Sequence, residues 1–105
     1  MNTTTDKAVA GEILRQLGGN RFIAMTGARN FCCDNNSIVF MLPARLSKDK
    51  INAVRIDLNC MDTYDIKFMS IISTKAVKIV YEIFGVYNDM LVSVFEDKTG
   101  LKTSL

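Results

Sequence analysis

A chain of 105 residues and 11.7 kDa has the length of one domain and can bury about two-thirds of its surface around a single core. With 49% hydrophobic residues, 23% charged residues and one proline, it has the composition of a folded globular protein and not of a disordered one. The net charge is only +2 and histidine is absent, which excludes imidazole acid–base catalysis, His-containing triads and His-ligated metal sites.

Residues 6–17 read as an amphipathic helix. Val9, Ile13, Leu14 and Leu17 recur at helical spacing, and Lys7, Glu12, Arg15 and Gln16 fall elsewhere. Asp6, or one of the threonines before it, is the expected cap, and Gly18-Gly19 is the expected stop. Asn20–Thr26 reads as a short apolar strand. The stretch Gly27–Cys33 leads into the turn cluster Asp34-Asn35-Asn36. Ser37–Leu42 reads as a second strand halted by Pro43, with a basic polar connector over residues 44–50.

A clearer hairpin follows, in which Val54, Ile56 and Leu58 alternate with Arg55, Asp57 and Asn59, and Tyr64, Ile66 and Phe68 alternate with Asp65 and Lys67. Placing both apolar sets on one core requires paired residue numbers to sum to an even value. A sum of 122 opposes Asp57 with Asp65 and Arg55 with Lys67, two repulsive pairs. Sums of 120 (Arg55 opposite Asp65) or 124 (Asp57 opposite Lys67) are therefore expected instead.

Residues 75–84 fit a helix through Ala76, Ile79, Val80 and Ile83, and a strand through Val77, Ile79, Tyr81 and Ile83. The density of β-branched residues favours a strand, and apolar residues on both faces suggest a central or doubly covered position. A second helix is expected over 88–98, with Tyr87, Met90, Leu91, Val94 and Phe95 on one stripe and Gly100-Leu101 as its stop. The order α-β-β-β-β-β-α predicts a single α+β domain over 1–105, in two layers. A five-stranded, mainly antiparallel sheet would carry the N- and C-terminal helices on one face.

Little in the chain suggests catalysis. Cys32, Cys33 and Cys60 are odd in number and lack zinc-ligand spacing, so reduced thiols are expected and no metal or cofactor. Asp62 and Asp65 read as turn residues more readily than as a catalytic pair.

Charge is uneven along the chain. Seven basic residues stand against two acidic ones between Arg15 and Arg55, a net +5 that leaves −3 for the rest of the chain. All five arginines lie in that segment, which points to an anionic partner or, alternatively, to a solvated face balanced in three dimensions. Arg21-Phe22 and Arg29-Asn30-Phe31 set aromatics beside guanidinium groups, as single-strand nucleic-acid binders do. Tyr64, Tyr81 and Tyr87 add further candidate stacking faces. Thr26-Gly27-Ala28-Arg29-Asn30 offers a hydroxyl, backbone amides, a guanidinium and a carboxamide. That set can hold an anion or a protein carbonyl edge, or satisfy its own backbone. Met25, Met41 and Met69 would lie on the alternate faces of their strands, an apolar surface if left uncovered.

The block from Leu17 to Phe31, LGGNRFIAMTGARNF, resembles the opening of a family of small bacteriophage and prophage proteins. Tyr64–Phe68, Gly85-Val86-Tyr87 and the ending Thr99–Leu105 resemble the same family, so the likeness spans nearly the whole chain. The resemblance implies a phage origin, the host bacterial cytoplasm and an accessory role, and it brings no catalytic residues.

The expectation is a non-enzymatic accessory protein that binds a host protein or a small anionic nucleotide and counters a host defence. The alternative is a single-stranded nucleic-acid-binding accessory of phage replication. The candidate binding residues are Asn20, Arg21, Thr26, Gly27, Arg29, Asn30 and Phe31. Neither a secretory leader nor a membrane span is expected, and an uncovered sheet face would favour a homo-oligomer.

Overall fold

The computed structural model describes residues 3–34, 36–43, 48–73, 76–101 and 103. Helix α1 runs Thr3–Leu17, so the expected start near Asp6 lies inside the helix. At its other end Gly19 N–H donates to the Leu14 carbonyl (2.9 Å) and Gly18 N–H to the Arg15 carbonyl (3.1 Å). This is the paired closure of a Schellman stop. Gly18 sits at φ +128°, and a Cβ there would stand 3.3 Å from Phe22 Cβ, so the junction requires glycine.

The chain then re-enters a helix. Asn20–Thr26 forms α2, which corrects the expected strand. Phe22 and Thr26, four residues apart, share its buried face, whereas Ala24 is exposed. Seven residues are too few for apolar alternation to separate the two periods.

The first strand of the sheet lies later, in the stretch expected to be a loop: β1 is Arg29–Asp34. It is followed by β2 Ser37–Met41, β3 Ala53–Leu58, β4 Tyr64–Ser73 and β5 Ala76–Val86. The five form an antiparallel meander in the order β1-β2-β3-β4-β5. Of the expected connector, residues 44–47 lie outside the described residues and Lys48–Lys50 make a single 3-10 turn. The expected turn residue Asn35, the strand start at Lys75 and most of the tail after Leu101 also fall outside them.

The β3–β4 hairpin adopts the register that pairs Arg55 with Lys67 and Asp57 with Asp65, the one that like-charge repulsion disfavours. Turn chemistry outweighs the repulsion. Asn59 Oδ1 accepts from the Met61 and Thr63 N–H groups (2.8 and 3.3 Å), and Asn59 Nδ2 donates to Thr63 Oγ1 (2.7 Å) and Asp65 Oδ1 (3.1 Å). Each charge is also compensated sideways. Arg55 reaches Asp57 along its own strand (3.1 Å), Lys67 reaches Glu82 on β5 (3.7 Å), and Gly85 N–H donates to Asp65 Oδ1 (3.1 Å).

A 3-10 turn, Asn88–Met90, leads into α3, Leu91–Thr99. The buried stripe of α3 is Leu91, Phe95 and Thr99. Tyr87 and Met90, expected on that stripe, are exposed.

All three helices cover one sheet face, whose rows run Ile38–Ile56–Ile66–Ile83 and Phe40–Val54–Phe68–Tyr81. These side chains pack with Ile13, Leu17, Phe22, Leu91 and Phe95 into one cluster. Its aromatic centre joins α2, β2 and α3: the Phe22 ring stands edge-on to Phe40 (5.5 Å) and to Phe95 (5.1 Å), a geometry aromatic pairs favour. No helix among the described residues is long and apolar enough to cross a membrane.

Candidate functional site

The expected binding residues separate into three groups. Thr26 and Gly27 are consumed by the end of α2. The Thr26 hydroxyl donates to the Phe22 carbonyl (2.8 Å) and accepts from Ala28 N–H (3.2 Å), while Gly27 takes the left-handed C′ conformation at φ 75°. The end of α3 repeats the device. Thr99 donates to the Phe95 carbonyl (2.7 Å) and accepts from Leu101 N–H (3.2 Å), with Gly100 at φ 74°. In both copies the phenylalanine and the residue after the glycine are buried. The twin motif Phe-x₃-Thr-Gly is legible in the sequence at 22–27 and 95–100, and it marks helix stops.

The second group lies on the edge strand β1. Asn30 sits at φ 56° in a bulge where the β1–β2 register shifts between Arg29 and Cys32. The extra residue changes which face the following side chains meet. Phe31 thereby packs on Phe40 (5.4 Å between centroids) and is half-buried, so it is a core-edge residue and not a free stacking platform. The amide of Asn30 meets Met41 Sδ at 3.6 Å, and Arg29 is exposed. Tyr64 is likewise buried. Tyr81 is half-buried, with its hydroxyl donating to Asp49 (2.8 Å) and its ring under Lys98 (4.8 Å). Of the three tyrosines only Tyr87 is freely exposed.

The third group, Asn20 and Arg21, lines a cleft of about 460 Å³ with Gln16, Leu17, Gly18, Val92 and Thr103. Gly18 and Thr103, far apart in sequence, are thus brought to one place by the fold. Thr103 is held there by Glu96, whose carboxylate accepts from its N–H (2.8 Å) and its hydroxyl (3.0 Å).

The basic segment disperses over the fold. Arg15 pairs with Glu12 on α1 (2.8 Å) and Arg55 with Asp57 on the sheet. Arg21 and Arg29 are exposed with no ion pair among the described residues.

The sheet face that carries no helix among the described residues is legible in the sequence only in outline. Met41, Ala53, Met69 and Ile79 form one cross-strand row, and Ile71 pairs with Val77 beyond it. Strand β5 is the outer edge of the sheet, not the central or doubly covered position its apolar residues suggested. Val77 (54% exposed), Ile79 (50%) and Phe84 (67%) stand in solvent. Met41 and Met69 lie on this face as expected; Met25, in α2, does not belong to it. Comparison with protein-family models, curated proteins and solved structures gives no match.

Proposed function

We propose that this chain is a non-enzymatic phage accessory protein that binds a bacterial host protein through the uncovered face of its sheet, countering a host defence. The observation that carries the reading is the exposed apolar pair Val77 and Ile79, set against Ile71 and Met69 on the face without helices among the described residues. Apolar side chains gathered in solvent on one face favour an interaction surface. Electrostatics favour a protein over a nucleic acid there: the cations Arg55 and Lys67 each lie against a carboxylate, at 3.1 and 3.7 Å, which leaves little field to hold phosphates.

The test is capture from bacterial lysate by the wild-type chain and by Val77→Glu/Ile79→Glu, followed by binding of the recovered protein in purified form. The reading requires one partner that the wild type binds and the double variant does not. Equal binding by both overturns it. Sedimentation at increasing concentration shows whether the occupant is instead a second copy of the chain.

A second reading, single-stranded nucleic-acid binding, is favoured by the exposed Arg21 and Arg29, which make no ion pair among the described residues. Oligonucleotide anisotropy at two salt concentrations tests it, because phosphate contacts would weaken steeply with salt.

A further inference from the structure

We infer that the cleft between the Lys48–Lys50 turn and the β4–β5 ladder is a binding site for a phosphomonoester, held by Lys50, Lys78 and the Ser70 hydroxyl. The cleft measures about 450 Å³, and Asp49, Asn52 and Ile71 line it beside those three. That volume is within the range of small-molecule sites. The inference goes beyond the host-protein reading and does not rest on it.

The register of β5 builds the site. Glu82 pairs with Lys67 and Tyr81 with Phe68, but the next pair is Ile79 with Met69, so Val80 is an extra residue in β5. Alternation without it would set Lys78 on the face of Glu82, away from the helices. The bulge turns Lys78 to the helix-bearing face instead, directly opposite Ser70. A second register shift follows between Ile71 and Ser73, so the Ser70–Lys78 pair stands between two bulges. Bulges are devices that re-aim side chains beside sites.

Ser70 supplies the demand for a ligand. The buried hydroxyls of Thr26, Thr63, Thr99 and Thr103 are all hydrogen-bonded. Ser70 is 8% exposed, yet its hydroxyl has no partner among the described residues and is not sealed from solvent. The cleft that Ser70 lines is its opening. A hydroxyl so placed has lost most of its water and gained no protein bond, and a ligand oxygen in the cleft restores one.

The two lysines supply the charge. Lys50 and Lys78 are exposed and make no ion pair among the described residues. Asp49, the one acid on the lining, accepts from the Tyr81 hydroxyl (2.8 Å). Two ammonium groups match a phosphomonoester, which carries about −1.5 to −2 at neutral pH, better than a single carboxylate. The wall beside them is fixed: the Asn52 carboxamide accepts from Ile71 N–H (2.7 Å) and donates to the Ile71 carbonyl (2.9 Å). Ile71 adds an apolar flank for the organic part of the ester.

The experiment is an ¹H–¹⁵N titration of the full chain with adenosine monophosphate and, separately, with inorganic phosphate, each to millimolar concentration at constant ionic strength. The expected result is saturable shifts of the Ser70, Ile71 and Lys78 amides and the Asn52 side-chain amide. A response to both probes assigns the affinity to the phosphoryl group, and a response to the nucleotide alone adds a share from its organic body. Lys78→Gln should weaken binding by about tenfold or more. Ser70→Ala should weaken it by about threefold or more, with the urea midpoint held, because the hydroxyl bonds nothing else in the fold. Arg21→Gln, far from the cleft in the fold, should leave binding unchanged. No saturable shift with either probe overturns the inference. So does undiminished binding by Lys78→Gln or Ser70→Ala, or an equal loss in Arg21→Gln, which would report a diffuse electrostatic effect.

Discussion

Replacing Thr26 by valine separates a structural hydroxyl from a binding one. Valine keeps the shape of threonine at a site that is 1% exposed but removes the oxygen that accepts from Ala28 N–H at 3.2 Å and donates to Phe22 O at 2.8 Å. The Phe22 carbonyl lies within α2 and retains its helical environment. The larger loss falls on Ala28, a buried residue whose N–H has no other partner among the described residues. A lost hydrogen bond of about 1 kcal/mol and a stranded donor of about 1–2 kcal/mol sum to roughly 2–3 kcal/mol. That is a large share of the ~5–15 kcal/mol that holds a domain together. Thr26→Ser retains the oxygen and gives up one buried methyl, about 1 kcal/mol. Urea unfolding should therefore rank wild type above serine and serine above valine at a constant denaturant slope, with the melting temperature of the valine variant about 10–15 °C lower. Thr99→Val should behave alike, because its hydroxyl makes the same two bonds. A valine variant as stable as wild type, or more stable than serine, would refute the reasoning.

Three further outcomes follow from the geometry. Gly18→Ala should cost about 1–3 kcal/mol in the same unfolding assay, because alanine is strained at φ +128° and its methyl would meet Phe22 Cβ at 3.3 Å. Asn59→Ala removes the side chain that closes the β3–β4 turn and should cost about 2 kcal/mol. Amide exchange in β3 and β4 should then rise before it rises in α3. Burial raises the Tyr64 hydroxyl above the usual tyrosine range, and its hydrogen bond to Asp49 raises Tyr81. A raised folded value means the fold favours the protonated phenol, so this contribution is complete below about pH 10 and is lost as pH climbs through the folded values. Spectrophotometric titration should show Tyr64 and Tyr81 ionising late, with stability falling above about pH 10.

Much of the fold was legible because its signals were local and redundant. The 54–68 alternation, the Gly18-Gly19 stop and the Gly100-Leu101 stop each combine periodicity with a backbone requirement. The misread elements have specific physical causes. Asn20–Thr26 is too short to express a period, although its Phe-x₃-Thr-Gly twin at 95–100 was visible. The strand at Arg29–Asp34 is hidden by the bulge at Asn30. The hairpin register follows one asparagine that makes four hydrogen bonds, which outweighs charge pairs satisfied by lateral partners. The exposed apolar residues of β5 imitate a buried strand because they break the polar-outside pattern. Sequences that otherwise obey their local rules tend to break them at functional surfaces. The Arg21 cleft was half visible: Asn20 and Arg21 were named, but Gln16 and Thr103 join them only in three dimensions.

The central claim is that the helix-free sheet face contacts a host protein. The most direct measurement places a photo-cross-linking side chain at Ile79 and, as a control, at the exposed Ser93 of α3, in cells of a bacterial host. The account predicts one reproducible adduct from position 79, absent from position 93 and abolished by Val77→Glu. An adduct formed only from position 93, or none from position 79, would contradict it.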